Sequence, residues 1–294
     1  MIREVALRLA RQRVYTHLLV GARFARPEDV VAWFGASQSQ EYGPAKWSLG
    51  QRAEGVTDAD VEKLLADGAI LRTHVLRPTW HFVLPADIRW MLELTGPRVL
   101  AQTASYYRRL GLDEATLEKS NTTIERALRG GNHLTRKELK TVLEKSGIDV
   151  EGYRVQFIVM NAELRGLICS GPRRGKQHTY ALLEERAPNA RVLDSEQALA
   201  ELTLRFFTSH GPATLKDFGW WSSLKLTDAK RGLEMVGSQL TEEEIRRGLL
   251  VVWFAYGPGI PLTEHRSPAG LRRVRRCLQG QPARHRCVRD RPSP

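Results

Sequence analysis

Two glutamines stand one residue apart in the stretch FGASQSQEYGPAKW, residues 34–47. Side-chain amides do not titrate near neutral pH, so Gln38 and Gln40 cannot serve as strong bases. They can orient a water molecule, accepting through oxygen and donating through nitrogen. That suffices for catalysis only where the bond to be broken is already weak, so that placing water matters more than deprotonating it. An N7-alkylated purine is a leaving group of this kind, because its departure neutralises a positive charge. The same spacing also suits a polar junction between helix and loop, and spacing alone leaves both readings open.

A second cluster lies in RTHVLRPTWHFV, residues 72–83, where Arg77-Pro78 marks the turn of a hairpin. Arg72, His74, Arg77, Trp80 and His81 on its two strands could pack against a nucleobase and hold its phosphates. The alternative is that Trp80, Phe82 and Val83 are core and the histidines are hydrogen-bonded structure. A third cluster, GPRRGK at 171–176, surrounds Gly171 and Gly175 with Arg173, Arg174 and Lys176. Cations on a narrow hairpin can straddle a phosphate backbone, or merely blunt the edges of its strands. Arg154, Gln156 and Arg165 on the preceding helix favour DNA, and Arg136, Lys137 and Lys140 on its neighbour could hold the backbone. The adjacent tryptophans of HGPATLKDFGWWS, residues 210–222, read as packing with some surface contribution.

Other chemistries find little support. Cys169, Cys277 and Cys287 are odd in number and lack zinc-like spacing, and neither a metal nor an organic cofactor is implied. No apolar run is long enough to span a membrane and no signal-peptide core is visible, so a cytoplasmic protein with no obligate protein partner is expected. The net charge is +12, but residues 257–294 hold nine Arg, no Lys and only Glu264 and Asp290 as acids. More than half of the basic excess therefore sits in this tail, and the body is only mildly suited to a polyanion. The tail reads either as a disordered basic arm or as a shifted reading frame. The second is preferred because it accounts for the abrupt change in composition.

The elements that would position these residues recur in order. EVALRLARQRVYTHLL is an amphipathic helix, Pro27 opens a second, and Thr57 with Asp60 caps a third that stops near Gly68. ADIRWMLELTG returns to helix after the hairpin. In the second segment, TLEKSNTTIERALRGG, the capping box Thr135 and Glu138 of LTRKELKTVLEKSG, and GYRVQFIVMNAELRGLI give three helices before the basic-tipped hairpin. This is the winged helix-turn-helix pattern. The third segment repeats the helices, with a wing expected to be cut off where the tail begins. The expected fold is mainly α with short β-hairpin wings (α+β), as tandem winged helix-turn-helix units. Residues 1–110 form the first unit, 111–190 the second, 191–256 an incomplete third, and 257–294 the tail.

Together SQSQEYGPAKWSLGQR, LRTHVLRPTWHFV and HGPATLKDFGWWSSL, with the winged-helix segment between them, resemble the bacterial winged-helix DNA glycosylases over roughly residues 1–256. That resemblance implies removal of N7-alkylated purines from duplex DNA, and in some members unhooking of interstrand crosslinks. The family motif is glutamine, an apolar residue, then glutamine or aspartate; it places Gln38 and Gln40 in the catalytic positions and departs from the pattern at Ser39. The side chain of Ser39 is expected to point away from the face the glutamines share. Base removal without strand cleavage is expected, by a protein that is nucleoid-associated when bound. The rival reading is a noncatalytic winged-helix DNA-binding protein or regulator.

Overall fold

The computed structural model describes residues 2–246 and 249–254; the tail at 257–294, with both readings of it, lies outside the described residues. The first segment comprises α1 (Ile2–Thr16), α2 (Pro27–Phe34), β1 (Ala36–Gln38), α3 (Tyr42–Gly50) and α4 (Asp58–Asp67). The strands β2 (Leu71–His74) and β3 (Trp80–Val83) follow, then the long α5 (Ile88–Arg109). The second segment comprises α6 (Glu114–Leu128), β4 (Leu134–Thr135), α7 (Arg136–Lys145), α8 (Arg154–Leu164), β5 (Ile168–Arg174), β6 (Gln177–Leu182) and the short α9 (Leu183–Arg186). In the third, α10 (Ser195–His210), α11 (Leu215–Ser222) and α12 (Leu226–Val236) precede β7 (Leu240–Arg246) and β8 (Leu249–Phe254). The architecture is mostly helical with small antiparallel sheets, an α+β class.

Local chemistry accounts for most boundaries. Pro27 sits at the start of α2, with Glu28 and Asp29 in its first turn. Thr57 with Asp60 and Thr135 with Glu138 close reciprocal capping boxes on α4 and α7. Three features depart from the sequence expectation. α3 was not foreseen; its Pro44 is tolerated in the first helical turn, where its N–H is not needed. α5 runs on through Pro97 instead of stopping near Gly96. The third segment, expected to lack its wing, pairs β7 with β8 in an antiparallel hairpin.

Three apolar clusters hold these parts together. The first sheet has the order β1-β3-β2, with Gln38 opposite His81 and His81 opposite Thr73. One of its faces contributes Ala36, Leu71 and Val83 to a core shared with α5, α10, α11 and α12. Phe82, on the other face, packs with Val30, Phe34, Ala45, Leu49 and Leu65 of α2, α3 and α4. The third core lies within the second segment and takes in Val99 and Tyr107 from α5. The two halves of α5 therefore belong to different cores, which makes it the wall between them.

The close approach of α5 and α8 depends on one missing side chain. A Cβ on Gly96 would lie 2.5 Å from the Leu164 carbonyl oxygen. Gly96→Ala is expected to destabilise the protein by about 1–3 kcal/mol through overpacking against backbone. Thermal and denaturant unfolding check this, and an unchanged midpoint would contradict the close approach.

Candidate functional site

Strand β1 ends the sheet, and Gln38 and Gln40 project from its open edge, both exposed, with Ser39 completely buried between them. The alternation expected of extended backbone thus turns Ser39 inward, as foreseen. Beyond Gln38 the ladder opens. The Ser39 N–H still donates to the Trp80 carbonyl at 2.7 Å. The Ser39 carbonyl instead accepts from Arg72 Nε and Nη2, at 3.2 and 3.0 Å. The Trp80 N–H, released from its usual partner, turns to Gln40 Oε1 at 3.4 Å. This contact leaves the Gln40 amide nitrogen free to donate outward.

The β2–β3 hairpin therefore adjoins the glutamines through its backbone, but its side chains divide between two faces. His81 and Thr73 share the face of Gln38, by register. Arg72, His74 and Trp80 occupy the opposite face and form a polar and aromatic cluster. His74 Nδ1 lies 2.6 Å from Glu163 Oε2, and Trp80 Nε1 donates to Glu163 Oε1 at 3.2 Å. Glu163 is 1% exposed and reaches this point from α8. The Arg72 guanidinium lies 4.5 Å from the Trp80 ring centre, and Arg136 lies 5.7 Å from it. Burial pulls the Arg72 pKa down, opposed by the charge of Glu163.

Arg77 departs from this group: its guanidinium stacks 4.4 Å from the ring of Trp220, which is 71% exposed. The two adjacent tryptophans thus divide, Trp221 packing against Phe206 and Phe218 while Trp220 stands on the surface. Tyr42, at the start of the unforeseen α3, adds a second ring beside the site. It donates to Glu62 at 2.9 Å and meets His178 edge-on at 4.6 Å.

Several cations expected to face a polyanion are engaged inside the protein. Arg173 pairs with Glu62 at 2.6 Å and lies 4.8 Å from the Tyr42 ring. Glu62 is held below the usual carboxylate range: burial opposes this, but hydrogen bonds from Lys46 and Tyr42 outweigh it. Arg174 pairs with the capping residue Glu138, and Lys140 with Glu144. The expectation for α8 needs correction. Residues 158–164 are buried because the helix packs between α5, α6 and the β2–β3 hairpin, so it offers no long face to a DNA groove. Arg154 is turned onto Asp149 and the Leu110 carbonyl, and Arg165 clamps Glu114. Arg136, Lys137, Gln156 and Lys176 are exposed and make no ion pair among the described residues. Gln156 lines a surface pocket with Tyr106, Tyr153 and Phe157.

Sequence reasoning missed Glu163, Tyr42, Glu62 and Tyr180, whose hydroxyl accepts from Arg136 at 3.3 Å. Glu163 lies in the helix whose Arg154, Gln156 and Arg165 were expected to favour DNA, and nothing in the spacing of MNAELRG reveals that it is buried. Among the described residues no group of three His, Cys, Asp or Glu is placed to hold a metal ion, and no helix is long and apolar enough to cross a membrane.

Residues 31–280 match the family model described as DNA glycosylase AlkZ-like, a match that runs past residue 256 into the Arg-rich tail. An interstrand DNA cross-link repair glycosylase of Streptomyces sahachiroi is 25% identical over 228 residues, 74% of this chain and 61% of that protein. The chain thus spans about three fifths of the length of that relative. The solved structure of the Streptomyces sahachiroi DNA glycosylase AlkZ is similar in fold. Its TM-score is 0.70 at 21% identity, covering 83% of this chain and 68% of that one.

Two outcomes follow from the geometry. Glu163→Ala would leave the buried His74 Nδ1 and the Trp80 Nε1–H without their acceptor, at an expected cost of about 1–3 kcal/mol in equilibrium unfolding. Burial, reinforced by nearby positive charge, pushes His81 down to about 3 and His178 to about 4; His210 falls to about 3 from burial and the charge of His17. Between these values and the ordinary 6.5, the unfolded chain binds protons that the folded chain does not. Stability is therefore full above pH 6.5 and falls as the pH is lowered toward 4, which thermal melts across that range would show.

Proposed function

This chain belongs to the AlkZ-like DNA glycosylase family, and we propose that it hydrolyses the N-glycosidic bond of N7-alkylated purines in duplex DNA. Crosslinks built on the same nitrogen present the same activated leaving group, in keeping with the name of the curated relative. Three helices and a hairpin recur along the chain, and we read them as tandem winged helix-turn-helix units at 1–110, 111–190 and 191–256.

The observation that carries the mechanism is the opened ladder at Ser39. With its oxygen engaged by the Trp80 N–H, Gln40 presents N–H donors at the strand edge. Gln38 shares that edge and makes no side-chain hydrogen bond among the described residues, so its oxygen is available as an acceptor. A water between them would receive a hydrogen bond from Gln40 and give one to Gln38, which directs an oxygen lone pair at the sugar C1′. The C1′–N9 bond breaks as the water oxygen bonds to C1′. Its electron pair returns to the purine and cancels the alkylation charge, and the water's surplus proton passes to solvent past Gln38. The neutral amides hold the nucleophile without retaining that proton. Trp80, on the opposite face of the same strand end, offers an aromatic surface for the nucleotide with the exposed Arg136 beside it, and Lys137 and Lys176 are available to phosphates. The buried Arg72 holds the strand end through the Ser39 carbonyl. Lys46, the lysine beside Tyr42, is held by Asp58 and Glu62. Lys46 is thus not offered as an amine nucleophile, in keeping with a product that is an abasic site in an intact strand.

The test is release of N7-methylguanine from methylated duplex DNA under single-turnover conditions. The double variant Gln38→Ala/Gln40→Ala should lose about 100-fold or more in rate while binding DNA as before. Selective binding of one unmodified sequence, with no base released by the wild-type chain, would replace this reading with that of a noncatalytic DNA-binding protein.

A further inference from the structure

Gln38, His81 and Thr73 form one row across the three strands, directly opposite one another and on one face. Cβ atoms in such pairs lie about 4.5–5.5 Å apart. His81 is 1% exposed and Thr73 fully buried. His81 Nδ1 lies 2.9 Å from the Thr79 carbonyl oxygen. A carbonyl only accepts, so the ring proton is on Nδ1 and Nε2 carries a lone pair. That Nε2 is buried without a partner, and so is Thr73 Oγ1 beside it. Each such atom costs about 1–3 kcal/mol, and folded proteins seldom keep two side by side without use for them. The exposed member of the row, Gln38, has an uncommitted amide with two N–H donors.

We infer that His81 is a positioning residue for Gln38: its buried Nε2 accepts from the Gln38 amide nitrogen, directly or through one water shared with Thr73 Oγ1, when the site closes on DNA. This rests on the glycosylase reading given above. An amide is nearly symmetrical in shape and can turn over, so a free Gln38 would present nitrogen as readily as oxygen. Anchoring its nitrogen on His81 leaves Oε1 outward, opposite in sense to Gln40, whose oxygen is held by Trp80. The pair then has one acceptor and one donor, the arrangement a nucleophilic water needs. Burial and the neighbouring charge of Arg77 keep His81 unprotonated, with a pKa of about 3, so its lone pair is present at neutral pH.

The variant His81→Phe keeps the ring and removes the lone pair. It should fold with an unchanged or raised melting temperature, bind DNA normally and release base on the order of 10–100-fold more slowly. Combined with Gln38→Ala it should add no further loss, because both act through one amide. Release at the wild-type rate, or losses that multiply in the double variant, would overturn the assignment. A second measurement does not depend on His81→Phe folding or on activity. In the wild-type protein bound to duplex DNA containing an abasic-site analogue, the 15N resonance of His81 Nε2 should shift when the exposed Gln38 is replaced by Ala, and Gln40→Ala should leave it in place. An Nε2 resonance indifferent to Gln38 rejects the contact. Failure of the wild-type chain to release any base rejects the glycosylase reading instead, while the resonance still decides the contact.

Discussion

A single buried carboxylate sets the geometry on which the site depends. Glu163 reaches from α8 in the second segment and is satisfied by two groups of the first, His74 Nδ1 and Trp80 Nε1. An anion taken out of water in this way is tolerated only where its acceptors are filled. The positions of β2 and β3 are therefore tied to that of α8. The tie propagates. With Trp80 fixed, Arg72 lies over the indole and extends its guanidinium to the Ser39 carbonyl. That bond takes the Ser39 carbonyl out of the ladder, and the freed Trp80 N–H turns to Gln40. The β2 backbone is held from the same direction, because the Arg72 N–H donates to Ser170 Oγ of β5 at 2.8 Å. The glutamines at the edge thus owe their setting to a residue more than a hundred positions further along the chain.

The same packing decides what the basic residues can do. Arg173 and Arg174 looked like free cations at a hairpin tip, yet each has a carboxylate partner, and a phosphate would have to displace Glu62 or Glu138 to reach them. The Glu62 pair also holds Lys46 and Tyr42, so it joins β5 to α3 and α4 as a structural joint. Arg154 is spent in the same way at the turn after α5. Of the cations singled out from the sequence, Arg136, Lys137 and Lys176 stay exposed without an ion pair among the described residues, with Arg136 standing beside Trp80. Charge counted along the sequence overstated the electrostatic attraction, because counting does not see intramolecular pairing.

The legible features were those with local causes. The capping boxes at Thr57 and Thr135, the proline at the start of α2 and the turn at Arg77-Pro78 depend on residues within a few positions of one another. The adjacency of the glutamines to the hairpin was suggested only by resemblance, and the register of Gln38 with His81 was not available from spacing. The features that escaped depend on distant partners. α5 passes Pro97 and packs closely on α8 at Gly96, and α8 has no long outward face because α5, α6 and the β2–β3 hairpin pack against it. The buried state of Glu163 has no signature in its own neighbourhood, since a lone Glu in a helix is ordinarily a solvated residue.

Ser39 shows how a departure from a motif can leave the geometry of a site intact. The family pattern has an apolar residue between the two polar ones, and a hydroxyl there seems at first to weaken the match. In the fold its side chain is wholly enclosed and its Oγ has no partner, so the hydroxyl adds no contact and carries a desolvation cost that an apolar group of similar size would avoid. The contacts at this position come from its backbone, through the N–H to Trp80 and the carbonyl to Arg72. The requirement is therefore for a small inward-facing residue whose main chain can be held from both sides. Serine meets it, and the alternation of the strand then places Gln38 and Gln40 on the outward side together.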